Sequence, residues 1–122
     1  MSDMLISINP KYVEEILNGN KKYEYLKTKC KRSINKIIIY STSPTMKVVG
    51  EATVEKILED SPKTIWMKTK DYSGVDIEFF NQYYKNKEKA VAYKLKDVKE
   101  YEKPRELSSY GIKNAPQSYV YI

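Results

Sequence analysis

The alternating pattern between Met46 and Leu58 constrains the fold more than any other feature of the sequence. On a strand, one face would carry the apolar or small residues Met46, Val48, Gly50, Ala52 and Val54, and the other would carry Lys47, Glu51 and Glu55. So long a strand with one apolar face needs a sheet around it. Gly50 in its middle predicts a bulge or a bend of the kind that curls a sheet into a barrel.

Shorter patterns supply the other elements. Strands are predicted over residues 4–8, 21–27, 36–41, 89–99 and 118–122. Helices are predicted after Asn9-Pro10, Ser61-Pro62 and Asp76, because each begins with a residue that favours the N-cap. Runs of strands with isolated helices are typical of an α+β fold. We therefore expect one domain over residues 1–122, a small β-barrel of five to six strands with about three short helices.

Composition limits the chemistry that is open to the chain. Without histidine and with one cysteine, Cys30, the chain has neither the usual zinc or haem ligands nor the usual general base. We expect no metal and no cofactor, although oxygen ligands for magnesium are present. No apolar run approaches the roughly 20 residues of a membrane span, and the first residues do not resemble a signal peptide. These features predict a cytoplasmic protein with no membrane partner, and the oligomeric state stays unknown.

The net charge of the chain lies in one short segment. Residues 21–36 hold seven Lys or Arg and one acid, Glu24, so the segment carries +6, and the whole chain is also +6. A concentrated basic patch attracts polyanions. Because no basic amphipathic helix or lipidation motif accompanies it, nucleic acid is favoured over a membrane. The alternative is a solvated, lysine-rich loop.

The segment GNKKYE, residues 19–24, resembles the G-x-K-x-x-E motif of the ASCH family within the PUA-like superfamily. The order of the surrounding segments is similar too: a strand and a helix before the motif, a strand with a Ser/Pro loop (37–44), a V-G-E strand (48–57), a Trp-bearing helix, an aromatic helix and a strand (89–95). The end, APQSYVYI, is similar to the subgroup described as predicted transcriptional regulators. The family motif usually continues to an Arg at the position where this chain has Leu26. The resemblance implies a small PUA-like β-barrel surrounded by helices.

The resemblance also implies that the motif lines a cleft between the barrel and the first helix. In such a cleft, Lys21 could hold a phosphate or lose its proton, and Glu24 could accept from a base amino group or act as a general base. Spacing alone also fits a surface ion pair between them. The predicted nucleic-acid-binding residues are Lys21, Lys22, Tyr23, Glu24, Lys27, Lys29, Lys31, Arg32, Ser41, Thr42, Gln117 and Ser118.

Three functions stay open at this point. The first is a module that binds RNA, another single-stranded nucleic acid or a nucleotide, with a base-sized cleft beside a basic arm; RNA is preferred because PUA-like domains generally serve RNA. The second is an RNA-processing enzyme, a ribonuclease or a modified-nucleoside amidohydrolase, in which Lys21 and Glu24 would be catalytic. The amidohydrolase is disfavoured because Glu24 stands where that chemistry needs a hydroxyl. The third is a protein-binding adaptor, which no exposed apolar stripe supports.

Overall fold

The structure is a computed structural model that describes residues 2–122. Six strands and three α-helices make up most of the chain. In chain order they are β1 (Ser2–Ile8), α1 (Pro10–Leu17), β2 (Tyr23–Leu26), β3 (Ile34–Ser41), β4 (Lys47–Asp60), α2 (Pro62–Thr69), α3 (Ile77–Tyr83), β5 (Ala90–Arg105) and β6 (Tyr119–Tyr121). Two short 3-10 helices, Lys70–Tyr72 and Leu107–Tyr110, complete the described structure.

All six strands belong to one sheet in the order β2-β5-β4-β3-β1-β6. Neighbouring strands are antiparallel except β1 and β3, which run parallel. The sheet curls into a half-barrel, and β2 and β6 are its two end strands. The predicted α+β class, with six strands and three helices, is confirmed.

Strand β4 supplies much of the curl. Its register with β5 shifts three times, and the first shift lies between Val48 and Gly50. A Cβ atom at Gly50 would lie only 2.6 Å from the carbonyl oxygen of Lys99 on β5. The two backbones therefore approach each other here more closely than any other residue would allow, as the predicted bend requires.

The three helices begin where the sequence predicts them. The side chain of Asn9 accepts a hydrogen bond from the Lys11 N–H at 2.9 Å, and that of Asp76 accepts from the Phe79 N–H at 2.8 Å. Ser61 caps α2 in the same way, through the Thr64 N–H at 3.3 Å. These local bonds satisfy N–H groups that a helix leaves unpaired at its start.

The core divides along the two faces of the sheet. Helix α1 packs against the inside of the half-barrel through Val13 and Ile16, while α2 and α3 cover β2 and β5 with Ile65 and Phe80. Strand β3 is buried from Ile37 to Ser41, because its successive side chains enter different clusters on its two faces.

Tyr84, which follows α3, ties the end strand β2 to β5. Its hydroxyl donates to the carbonyl of Leu26 at 2.7 Å and accepts from the N–H of Val91 at 3.3 Å. The side chain is buried. Tyr84 therefore holds β2, the strand that carries the end of the motif, against β5.

Replacing Tyr84 by Phe is expected to cost about 1–3 kcal/mol of stability, because it leaves buried backbone groups without a partner. Urea unfolding monitored by circular dichroism measures this cost. The matched control is Tyr72→Phe, at an exposed side chain, where we expect a change within about 0.5 kcal/mol. Equal stabilities of the two variants would contradict this role of the Tyr84 hydroxyl.

Candidate functional site

A cavity of about 700 Å³ lies at the open side of the half-barrel, where the end of β1 faces β2. Helices α1 and α3 and the start of β6 complete its wall. Its lining includes Ser7, Asn9, Tyr12, Lys21, residues 24–28, Val75, Phe79, Tyr83 and residues 117–119. The two polar residues of the predicted motif, Lys21 and Glu24, therefore reach the same cavity.

Lys21 is almost completely buried, with 2% of its surface exposed. Its N–H donates to the carbonyl of Glu15 in α1 at 2.9 Å, and its Nζ donates to the carbonyl of Ser73 at 2.7 Å. The Nζ also lies 4.8 Å from the centre of the Tyr25 ring. Burial lowers the pKa of Lys21, and the charge of Glu24 opposes that shift. The lysine is therefore held at both ends in a partly desolvated position.

The loop before α3 is shaped around the Lys21 side chain. Gly74 has φ +68°, and a Cβ atom there would lie 2.4 Å from the Cβ of Lys21. Sequence reasoning missed both Ser73 and Gly74. A glycine in a polar stretch predicts a turn, but it gives no indication that a lysine more than 50 residues earlier would pack on that turn.

Glu24 lies on β2, opposite Tyr93 of β5. Its Oε1 accepts from the N–H of Tyr25 at 3.1 Å, whereas its Oε2 is buried and has no hydrogen-bond partner. Among residues 2–122, no other buried side-chain nitrogen or oxygen lacks a partner. Burial raises the pKa of Glu24, opposed by the charge of Lys21 and the bond from Tyr25. Because buried acceptors are nearly always paired, this oxygen is the strongest candidate for a ligand contact.

Lys21 and Glu24 do not form the surface ion pair that their spacing also allowed. Lys21 and the Glu24 Oε2 are both buried, and no ion pair of 4 Å or less joins the two residues in the described part of the chain. Burying two ionisable groups without an ion pair between them destabilises the fold. Ionisable groups in such positions cluster at functional sites.

One wall of the cavity is aromatic. The rings of Tyr12 and Phe79 are 5.3 Å apart, and those of Phe79 and Tyr83 are 6.1 Å apart and nearly parallel, at 12°. Burial raises the pKa of Tyr83 to about 12, so its hydroxyl stays protonated at neutral pH. The Nζ of Lys27 lies 5.0 Å from the centre of the Tyr83 ring, at the rim. Tyr23, one of the predicted binding residues, packs instead against the core that α2 and α3 form with β2 and β5.

The remaining predicted residues form three groups, which line the cavity, follow it in the loop after β2, or lie elsewhere. Gln117 and Ser118 line the cavity beside Lys27, whereas Lys29, Lys31 and Arg32 follow in the loop after β2 and lie outside it.

The other predicted residues lie elsewhere. The Nζ of Lys22 is 4.2 Å from the centre of the Tyr72 ring, outside the cavity, and the N–H of Thr42 donates to Ile8. Ser41 is buried and lines a separate depression beside α1. Leu26, at the position of the family Arg, packs in the core.

Two further findings concern the described residues, 2–122. No three His, Cys, Asp or Glu side chains lie close enough together to hold a metal ion. None of the helices in this part of the chain has both the length and the apolar character needed to cross a membrane.

Comparison with solved structures defines the class of this fold. The crystal structure of an ASCH protein from Zymomonas mobilis superposes with a TM-score of 0.89 at 25% identity, covering 98% of this chain and 87% of that one. A point variant of that protein superposes with a TM-score of 0.90 at 24% identity, covering 100% and 91%. The half-barrel with its cavity is therefore an ASCH-type, PUA-like fold.

One relative found by sequence comparison belongs to the same class. An ASCH domain-containing ribonuclease of Zymomonas mobilis is 27% identical over 96 residues, which are 78% of this chain and 65% of that protein. A large ribosomal subunit protein uL22 of Ureaplasma parvum is 30% identical over 120 residues, and this chain spans 39% of its length. The family model described as "Domain of unknown function (DUF365)" matches residues 4–115. The chain is therefore an ASCH-domain protein that belongs to the family described in those words.

Proposed function

We propose that this protein binds RNA by taking one base into the cavity. The observation that carries the proposal is the buried, unpartnered Oε2 of Glu24 in a cavity with an aromatic wall. The name of the ribonuclease relative supports RNA as the class of ligand. Assignment to the subgroup of predicted transcriptional regulators stays a prediction.

The chemistry of the cavity suits a nucleobase. The faces of Phe79 and Tyr83 offer a platform on which a base can stack. A carboxylate oxygen accepts from an N–H on the edge of a base. Binding would therefore give Glu24 Oε2 the partner that it lacks, and the free-energy penalty of the unpaired oxygen would be relieved only in the complex.

The rim of the cavity suits the sugar and phosphate of the same nucleotide. Lys27 places a positive charge there, and Gln117 and Ser118 add polar groups. The basic loop that follows, with Lys29, Lys31 and Arg32, would contact the nucleic-acid backbone. Such contacts depend on salt and carry no base preference.

Replacing Phe79 by Ala is expected to weaken binding of a nucleoside monophosphate by roughly 5- to 100-fold, since base stacking contributes about 1–3 kcal/mol. Titration calorimetry with the four ribonucleoside monophosphates measures this effect. Tyr72→Ala is the matched control, because the two aromatic side chains are similarly exposed, at 42% and 47%, and Tyr72 lies outside the cavity. No binding by the wild type, or equal losses in both variants, would contradict the proposal.

A ribonuclease is the second candidate function. It is favoured by the buried lysine with a lowered pKa beside a carboxyl group with a raised one, since these shifts suit an acid–base pair. Incubation with RNA tests it, with Lys21→Ala and Glu24→Ala as variants. Acetylated cytidine belongs in the same assay, because the cavity lining includes the hydroxyls of Ser7, Thr28 and Ser118. RNA cleavage that each substitution abolishes would support the ribonuclease function. The absence of any turnover would contradict it and leave RNA binding as the proposed function.

A further inference from the structure

A second depression, of about 440 Å³, is lined in part by the loop that follows β2, which also borders the cavity. The cavity lining includes residues 24–28, and the lining of the depression begins at residue 29. Its two walls are residues 29–34 of the loop and residues 54–57 of β4. We call it the flanking depression. The residues that line the cavity and those that line the flanking depression are therefore consecutive in this loop.

The loop wall of the flanking depression is anchored by tyrosines. The Lys27 Nζ lies over the Tyr83 ring, and the Cys30 N–H donates to the hydroxyl of Tyr93 at 3.0 Å. The guanidinium carbon of Arg32 lies 4.4 Å from the centre of the Tyr121 ring. The two ring contacts place the Lys27 and Arg32 side chains before any ligand arrives, which reduces the entropy cost of ordering these two side chains on binding.

The charge of the flanking depression is not neutralised within the protein. Four basic residues line it: Lys29, Lys31, Arg32 and Lys56. Its only acidic residue, Glu55, is already paired with Lys94 at 3.1 Å. Within residues 2–122, none of the ion pairs of 4 Å or less includes any of the four basic residues. The excess positive charge is therefore free to bind an anionic ligand.

We infer that the flanking depression is a subsite for the phosphates next to the base held in the cavity, so that a short single strand, not a mononucleotide, is the preferred ligand. This inference rests on the proposed function. Lys56 distinguishes a subsite formed by the fold from the basic segment of the sequence alone. This residue lies on β4, outside the basic segment, and lines the flanking depression together with Lys29, Lys31 and Arg32. The lining contains no aromatic ring on which a base could stack. The expected contacts are therefore with the sugar–phosphate backbone of the ligand and do not depend on the identity of the base.

The test compares a ribonucleoside monophosphate with a five-nucleotide RNA of mixed sequence, titrated at 50 and 200 mM salt. We expect the wild type to bind the RNA at least tenfold more tightly than the monophosphate. Lys56→Ala should weaken binding of the RNA by about three- to tenfold and reduce the salt slope by about one, with binding of the monophosphate unchanged. Binding of the monophosphate also reports that the variant is folded, and Lys56→Gln should give the same result.

The matched control is Lys103→Ala, an exposed lysine on β5 at the opposite end of the β4–β5 ladder from Lys56. It removes the same charge from the protein and should change neither affinity. Equal affinities for the monophosphate and the RNA, or equal effects of the two substitutions, would overturn the inference and leave the proposed function standing. A five-residue glutamate peptide that binds as tightly as the RNA would overturn it as well. If neither the monophosphate nor the RNA binds, the proposed function fails together with the inference.

Discussion

Replacing Gly74 by Ala is expected to weaken binding of a nucleoside monophosphate at least tenfold and to destabilise the fold by about 2–5 kcal/mol. The new methyl group would lie 2.4, 2.6 and 2.7 Å from the Cβ, Cγ and Cδ of Lys21. Lys21 cannot yield easily, because its N–H and its Nζ are both hydrogen-bonded to other segments. Overpacking of this kind costs about 1–3 kcal/mol, and a left-handed backbone conformation adds about 1–2 kcal/mol.

Gly111→Ala separates these two effects. Gly111 has nearly the same backbone conformation, φ +71° against +68° at Gly74, but an added Cβ would meet no atom within 4 Å. This control should therefore lose only about 1–2 kcal/mol and bind the ligand normally. Chemical unfolding and calorimetric titration of both variants give the comparison. Equal affinities of the two variants for the nucleoside monophosphate would show that the position of Lys21 does not affect ligand binding.

Replacing Glu24 by Gln is expected to make the protein more stable at pH 7 while weakening the binding of its ligand. Burial raises the pKa of Glu24, so ionising this carboxyl costs more free energy in the folded protein than in the unfolded chain. Below the ordinary carboxyl pKa of 4.5, both the folded and the unfolded chain hold that proton, and the variant has no advantage. As the pH rises through 4.5 towards the raised pKa, ionisation favours the unfolded wild type, and the wild type loses stability relative to the variant.

Thermal unfolding at pH 4 and pH 7 measures this difference. The melting temperatures should coincide at pH 4, and that of Glu24→Gln should be a few degrees higher at pH 7. Binding should weaken about tenfold, because the amide nitrogen at the position of Oε2 donates where the ligand needs an acceptor. Glu14→Gln, at an exposed residue of α1, should change neither property. A variant less stable than the wild type at pH 7 would show that ionised Glu24 stabilises the fold.

The strands and helices were predictable because their patterns are local. Alternation identified β4, and capping residues identified the starts of α1, α2 and α3. Gly50 predicted a bend, and the close approach to Lys99 confirms it. The parallel pairing of β1 with β3 was not predicted. The two strands are about 30 residues apart, and the residue pattern of neither strand indicates which strand it pairs with.

The candidate site was predictable where the resemblance or the basic segment reaches it, which includes Lys27, Gln117 and Ser118 as well as the motif. Lys21 and Glu24 were identified through the resemblance, and both line the cavity. Tyr12, Ser73 and Phe79 were missed, because their place in the site comes from the packing of α1 and the α3 loop. Ser41 and Thr42 were expected at the site as loop hydroxyls, but they lie outside the lining of the cavity, and Ser41 faces a different side of α1.

The sequence by itself therefore determined the class of fold, the position of the motif and the concentration of positive charge, since each depends on residues near one another in the chain. Only the tertiary structure decided that Lys21 is buried against Gly74 and that Glu24 Oε2 has no partner. It also decided that Lys56 joins the basic loop. These facts depend on distances between segments that are far apart in sequence, and the curl of the sheet sets those distances.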